Sequence, residues 1–332
     1  MRNLITDVAG LSVGHGDDAE LGSGSTVVIF DEPAVASVDL RGGGPGTRET
    51  ELLGAATTVE RVDAITLSGG SAFGLDAASG AQAYLREHGR GFAIGPARVP
   101  IVPGAIVFDL LAGGNKDWGL HSPYRELGYR AAAAASKDFA LGSVGGGMGA
   151  TVVNLKGGIG SASAKTEEGI TVGALVIVNA VGSVTVGDSC HFWAAPFERD
   201  NEFGGLGFPS HLSANDLLIR TKGGARQSTT IALVATDAIL TSAQTNRLAV
   251  MAQTGCARAI YPVHTPLDGD VVFAAATGKK ALEDPLMSLT TLGSVAANVL
   301  ARAVARGVYE ATTLAVSDAS LPSWREKFGA KA

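Results

Sequence analysis

The sequence predicts a layered α/β fold in which sheets stack on one another and helices lie outside. Three observations lead there. Short apolar, β-rich runs alternate with Ala-rich stretches of helical periodicity. The strands fall in groups between helices instead of strict strand–helix–strand alternation, which disfavours a doubly wound parallel sheet. Finally, 45 of the 332 residues are Gly, about one in seven against a usual ~7%. They cluster between apolar runs at 42–44, 69–70, 145–149, 157–160 and 223–224, where glycine allows tight turns and close backbone approach.

Taken in order, strands are predicted at Ser25–Phe30, Val35–Asp39, Ala64–Leu67, Ala150–Asn154, Val172–Val178, Thr230–Ala235 and Val271–Ala275. Helices are predicted at Ala72–His88, Glu126–Ala135, Ser242–Thr254 and Leu289–Arg306. The third has a start signal in Thr241-Ser242 and a stop signal in Gly255; the fourth follows Thr290-Thr291 and ends at Gly307. Residues 188–228 read as a long polar connector. It carries Trp193, Pro196 and the charged cluster Glu198, Arg199, Asp200 and Glu202, and shows little periodicity until Thr229 opens an apolar run. Such a connector, feeding a buried strand, is where a backbone break is tolerated.

Composition narrows the function classes. Hydrophobic residues make up 46% and charged residues 17% of the chain, with a mean hydropathy of +0.23. No stretch reaches the roughly 18–20 consecutive apolar residues of a membrane span, so burial between layers and between subunits accounts for the excess, and a homo-oligomer is expected. The N-terminus lacks an apolar signal-peptide region. Cys190 and Cys256 form neither a disulfide framework nor a metal spacing, consistent with a reduced, cytoplasmic setting. A net charge of −6 without a basic run argues against nucleic acid as a partner. The six histidines are scattered, and neither a metal nor another cofactor is expected.

Several motifs remain. Gly69-Gly-Ser-Ala-Phe-Gly74 precedes a predicted helix but lacks the Lys-Ser/Thr of a phosphate-binding loop and the spacing of a dinucleotide fingerprint. It reads as a helix start with Ser71 and free N–H groups facing a substrate cleft. The Gly145–Gly149 run, including Gly147 and Gly149, either presents main-chain N–H groups to a substrate or packs tightly. Asp268-Gly269-Asp270 is either a turn, Asp-Gly being a common turn dipeptide, or a pair of carboxylates projecting to one side of a strand start.

Together these segments resemble the P1 peptidase family, the aminopeptidase/D-esterase group that includes nylon-oligomer hydrolases and β-aminopeptidases. The resemblance is carried by Ser228-Thr-Thr-Ile-Ala-Leu-Val-Ala-Thr-Asp237, Arg41-Gly-Gly-Gly-Pro-Gly-Thr-Arg48, Leu67-Ser-Gly-Gly-Ser71, Val99-Pro-Ile-Val-Pro, Lys156-Gly-Gly-Ile-Gly and Val172–Asn179, in one order over almost the whole chain. It implies a four-layer α/β/β/α sandwich and self-cleavage between Ser228 and Thr229, giving fragments 1–228 and 229–332 of a single domain. Thr229 would then be an N-terminal nucleophile activated by its own amine. Asn179 would line the oxyanion site, Asp268 and Asp270 would orient the nucleophile, and Lys156 would serve either the site or its turn.

Relatives with a Thr nucleophile usually carry Asn where this chain has Ser228, and Ser228 or Thr230 as nucleophile are the competing registers. The implied substrate is a short peptide or amino-acid amide, and the implied assembly is a tetramer or octamer of processed pairs. Competing readings are an endo-hydrolase of ω-amino-acid oligomers, an uncut non-catalytic homologue, and an acyl transferase related to ornithine acetyltransferase.

Overall fold

The computed structural model describes residues 1–222, 228–314 and 321–329; Gly223–Gly224 and the last stretch of the connector before Ser228 lie outside the described residues. In chain order the strands and helices are β1 (Leu11–Asp18), β2 (Ser23–Leu40), β3 (Thr47–Arg48), β4 (Arg61–Ser68), α1 (Ala77–Glu87), β5 (Phe92–Ile94), β6 (Ala97–Val99), β7 (Gly104–Ile106), α2 (Tyr124–Ala133), β8 (Gly158–Lys165), β9 (Thr171–Asn179), β10 (Thr229–Ala238), α3 (Ser242–Ala259), β11 (Val271–Lys280), α4 (Pro285–Tyr309) and α5 (Trp324–Phe328). Strands β5 and β6 form a separate small hairpin, and the others run in the order β3-β7-β4-β2-β11-β10-β9-β8 with β1 on β2.

This strand path folds into two stacked layers because β2 belongs to both. Its first half pairs with β1 and β4, its second half with β11, and the β4 register breaks between Ile29 and Ala34. The two separately predicted strands 25–30 and 35–39 are thus one bent strand. Side-chain alternation divides the core accordingly. Val28, Phe30, Ile65 and Leu67 meet Leu175, Ile177, Leu233 and Phe273 between the sheets. The opposite faces pack outward: Val27, Ile29 and Ala64 against α1 and α2, and Val176, Val178, Val234 and Ala274 against α3 and α4. The result is the α/β/β/α sandwich. Strands β9, β10 and β11 are covered on both faces, so they read as nearly continuous apolar runs. Each fully buried Val or Leu there contributes about 1.5–3 kcal/mol.

The differences from the expected elements have local causes. Residues 71–76 form a 3-10 turn ahead of α1; a Cβ on Gly74 would fall 1.8 Å from the Gly69 carbonyl oxygen, so the chain is drawn tightly back on itself there. Gly255 does not end α3. It sits inside the helix, and its missing Cβ, which would fall 2.4 Å from the Ala297 carbonyl oxygen, lets α3 and α4 approach. Helix α4 starts earlier than predicted, capped by Asp284, whose carboxylate accepts from the Leu286 and Met287 N–H groups. It is long and apolar enough to cross a membrane, yet it packs on α3, β8 and β9 and carries two ion-paired arginines, Arg302 and Arg306. No strand forms at 150–154; there Thr151 makes an isolated bridge to Lys156, and the strand is β8, built from Gly-Ile-Gly-Ser-Ala-Ser-Ala-Lys. The connector is less open than expected, with Phe192, Ala194 and Phe203 buried.

Candidate active site

The sheet topology brings the separated motifs to one edge. Strands β10 and β11 are parallel, with Ile231 opposite Val271 and an isolated parallel bridge between Ser228 and Asp268. The start of one strand therefore lies beside the start of the other. Strand β9 runs antiparallel to β10, which sets its last residue, Asn179, opposite Thr229. Thr229, Asn179, Asp268 and Asp270 all lie within this corner, each no more than 4% exposed.

Each side chain there has defined partners. Asp270 accepts from the Thr230 N–H through Oδ1 at 2.7 Å and from His264 Nδ1 through Oδ2 at 2.8 Å. Asp268 accepts from the Val181 N–H at 3.1 Å, and from both the N–H and the hydroxyl of Thr265 at 2.8 Å. The two carboxylates thus hold the residue after Thr229 and the chain just past Asn179. Burial, and then the charge of Asp270, raise the Asp268 carboxyl above its ordinary range. Asn179 Oδ1 accepts from the Thr151 N–H at 3.0 Å and from Lys222 Nζ at 2.9 Å, while Nδ2 donates to the Phe108 carbonyl at 3.0 Å. That amide carries two hydrogens, so one is committed to Phe108.

Lys156 lies behind this corner. Its ammonium donates to the carbonyls of Gly147, Ala150 and Gly157 at 3.2, 2.7 and 2.9 Å, which accounts for its three N–H groups and ties down the glycine-rich turn. Burial pulls its pKa down to about 7, opposed by the charge of Asp109. Gly147 and Gly149 have packing reasons to be glycine: their Cβ atoms would meet the Ile159 N–H at 2.4 Å and the Asp109 carboxylate at 2.6 Å. Ser71 adopts φ 53°, uncommon for a non-glycine residue, and its N–H donates to the Val107 carbonyl. The neighbouring Gly70 N–H donates to buried Asp109 at 2.7 Å, so, contrary to the expected free donors, these two N–H groups are committed to the 107–109 segment that also anchors Asn179.

Three contributors escaped the sequence reading. His264, with φ 55°, is brought to Asp270 by the turn before β11 and has no spacing signature. Lys222 sits on the connector six residues ahead of Ser228 and reaches Asn179. Gly269, between the two acids, carries a main-chain N–H that faces the Ser228 carbonyl. In sequence it is indistinguishable from a turn glycine.

Comparison with known proteins agrees with this architecture. Residues 3–321 match peptidase family S58. An uncharacterised aminopeptidase of Mycobacterium tuberculosis is 44% identical, with 98% of each chain covered. A 6-aminohexanoate-oligomer endohydrolase of a Kocuria species is 27% identical over 91% of this chain and 85% of its own. Among solved structures, an L-aminopeptidase D-Ala-esterase/amidase of Ochrobactrum anthropi, described as a variant of the Ntn hydrolase fold, superposes with a TM-score of 0.70 at 18% identity, covering 99% of this chain and 93% of that one. With its two-sheet sandwich and the buried corner at the sheet edge, the chain belongs to peptidase family S58 and is a hydrolase, with the layered fold of the Ntn hydrolase variant it superposes on.

Proposed function

We propose that the chain cuts itself between Ser228 and Thr229 and then hydrolyses short peptides or amino-acid amides with Thr229 as nucleophile. The observation that carries this reading is the placement of Thr229 at the first position of β10, opposite Asn179, with Asp270 holding the next residue's N–H. Once freed, the Thr229 α-amine has an ordinary pKa of about 7.7–8 and can take the proton of its own hydroxyl near neutral pH. The hydroxyl oxygen attacks the amide carbonyl, and the uncommitted Asn179 amide hydrogen supports the oxyanion. Water then hydrolyses the ester. Asp268 and Asp270 act as positioning residues, keeping the two strand starts and the end of β9 in register. Lys156 acts one layer back by fixing the turn from which Thr151 reaches Asn179.

A second reading, hydrolysis within ω-amino-acid oligomers, is favoured by the Kocuria relative. We further propose that processed pairs assemble into a homo-oligomer. The test is a panel of amino-acid p-nitroanilides, dipeptides and 6-aminohexanoate oligomers, with acyl-enzyme trapping by mass spectrometry. The proposal expects turnover and an acyl adduct on the peptide beginning at Thr229. Turnover with the adduct on another residue would overturn the assignment of the nucleophile.

A further inference from the structure

We propose that the main-chain N–H of Gly269 is the oxyanion donor for the self-cleavage step. This rests on the reading that the chain cuts between Ser228 and Thr229, and it names the group that makes that bond cleavable. The Gly269 nitrogen lies 2.9 Å from the Ser228 carbonyl oxygen and donates to it, while the Ser228 N–H donates to the Leu267 carbonyl at 3.2 Å. The peptide to be cut is therefore held as a short parallel extension of β10 against the chain entering β11.

The donor is fixed in advance. The Gly44 N–H donates to the Asp268 carbonyl at 2.8 Å, and the Arg41 and Gly42 N–H groups donate to the Asp270 carbonyl at 3.0 and 3.2 Å, so the 268–270 backbone is clamped on both sides of Gly269. The flanking carboxylates are turned to other partners, Asp268 to Val181 and Thr265, Asp270 to Thr230 and His264. Space explains why residue 269 is glycine. A Cβ there would lie 2.8 Å from Thr229 Oγ1 and 2.6 Å from the Gly44 carbonyl oxygen. Gly269 is not among the residues with positive φ, so close approach of the nucleophile, and not backbone conformation, demands it.

The chemistry balances at these atoms. Thr229 Oγ bonds to the Ser228 carbonyl carbon, and the negative charge of the tetrahedral intermediate develops on the Ser228 oxygen, where the Gly269 N–H already points. The C–N bond between residues 228 and 229 then breaks, and the hydroxyl proton passes to the Thr229 nitrogen, leaving an ester and a free amine. Water splits the ester, adding hydroxyl to the Ser228 carboxyl carbon and hydrogen to Thr229 Oγ.

The test replaces Gly269 by glycolic acid during cell-free synthesis of the full chain, exchanging one N–H for an oxygen without adding a side chain. Cleavage is followed on denaturing gels beside the wild type and Gly269→Ala. Loss of one such donor is expected to slow cleavage by about 10²–10³-fold, and Gly269→Ala is expected to stay whole. Wild-type cleavage with an equally fast glycolyl chain overturns the inference alone; a wild type that never cuts overturns the self-cleavage reading and this inference with it. If the glycolyl chain does not melt cooperatively, hydrogen exchange of the Gly269 amide in Thr229→Ala decides. Protection there that is lost in the cut wild type supports the donor role, and exchange at the unprotected rate overturns it.

Discussion

Two buried polar clusters sit in this molecule, and they are built on opposite principles. On the α4 side, Arg302 meets both carboxylate oxygens of Glu202, the Ser163 carbonyl and Asn3 Oδ1, while Arg306 reaches the Asn3 and Ser161 carbonyls. Both arginines are ion-paired with Glu202, and the connector and the N-terminus are bolted to α4. At the β10 corner two carboxylates lie side by side, held largely by main-chain N–H groups, and two neighbouring hydroxyls, Ser228 Oγ and Thr230 Oγ1, are buried with no hydrogen-bond partner among the described residues. Two like charges side by side, with two unpartnered hydroxyls next to them, cost stability, because buried polar groups are ordinarily hydrogen-bonded. The first cluster ties the connector and the N-terminus to α4; the second is the candidate active site.

That contrast can be broken by substitution, and the largest effect belongs to Thr229→Ala. It is expected to abolish both cleavage and turnover while leaving the fold intact, checked by intact mass, substrate assay and thermal unfolding. Next is Glu202→Ala, which strands the buried Arg302 guanidinium. It should lower the unfolding free energy by about 3–5 kcal/mol, measured by denaturant titration, yet cut at the wild-type rate well below its melting temperature.

Asp268→Asn should do the reverse, reducing turnover by about 10²-fold through misplacement of the corner with little loss of stability at neutral pH. The sign follows from the raised Asp268 pKa. The stability it contributes is full below the ordinary 3.8 and is lost as pH rises through the higher folded value. Melting temperatures at pH 4 and 7 should therefore show the variant gaining on the wild type as pH rises. The smallest effect is expected for Ser228→Ala. Its hydroxyl has no partner among the described residues, so stability should change by less than about 1 kcal/mol and cleavage should persist. Much slower cleavage would instead give that hydroxyl a part in the reaction.

The same contrast explains what could be read in advance. Strands β9, β10 and β11 were legible because burial on both faces writes an apolar run into the sequence, and Thr229 stood out where such a run begins. Strand β8 was not, since Gly160 and Gly158 are required by the approach of α4, with Cβ positions 1.9 Å from the Ala303 carbonyl oxygen and 2.6 Å from that of Gly307. Close packing there removed the β-branched residues that signal a strand. Gly255 was misread as a helix stop for the same reason. At the site, Asp268 and Asp270 were legible as a spaced pair, whereas His264, Lys222 and Gly269 act through a turn, a connector and a main-chain N–H, none of which leaves a side-chain pattern.

The central claim, that the bond before Thr229 is the one this corner cuts, is tested most directly by intact mass under denaturing conditions with N-terminal sequencing of the smaller product. The account predicts that the 33.6 kDa chain becomes fragments of about 23 and about 10.5 kDa, in proportion to 228 and 104 of the 332 residues, the smaller beginning Thr-Thr-Ile-Ala-Leu. A chain that stays whole on prolonged incubation, or a small fragment with any other first residue, would contradict it.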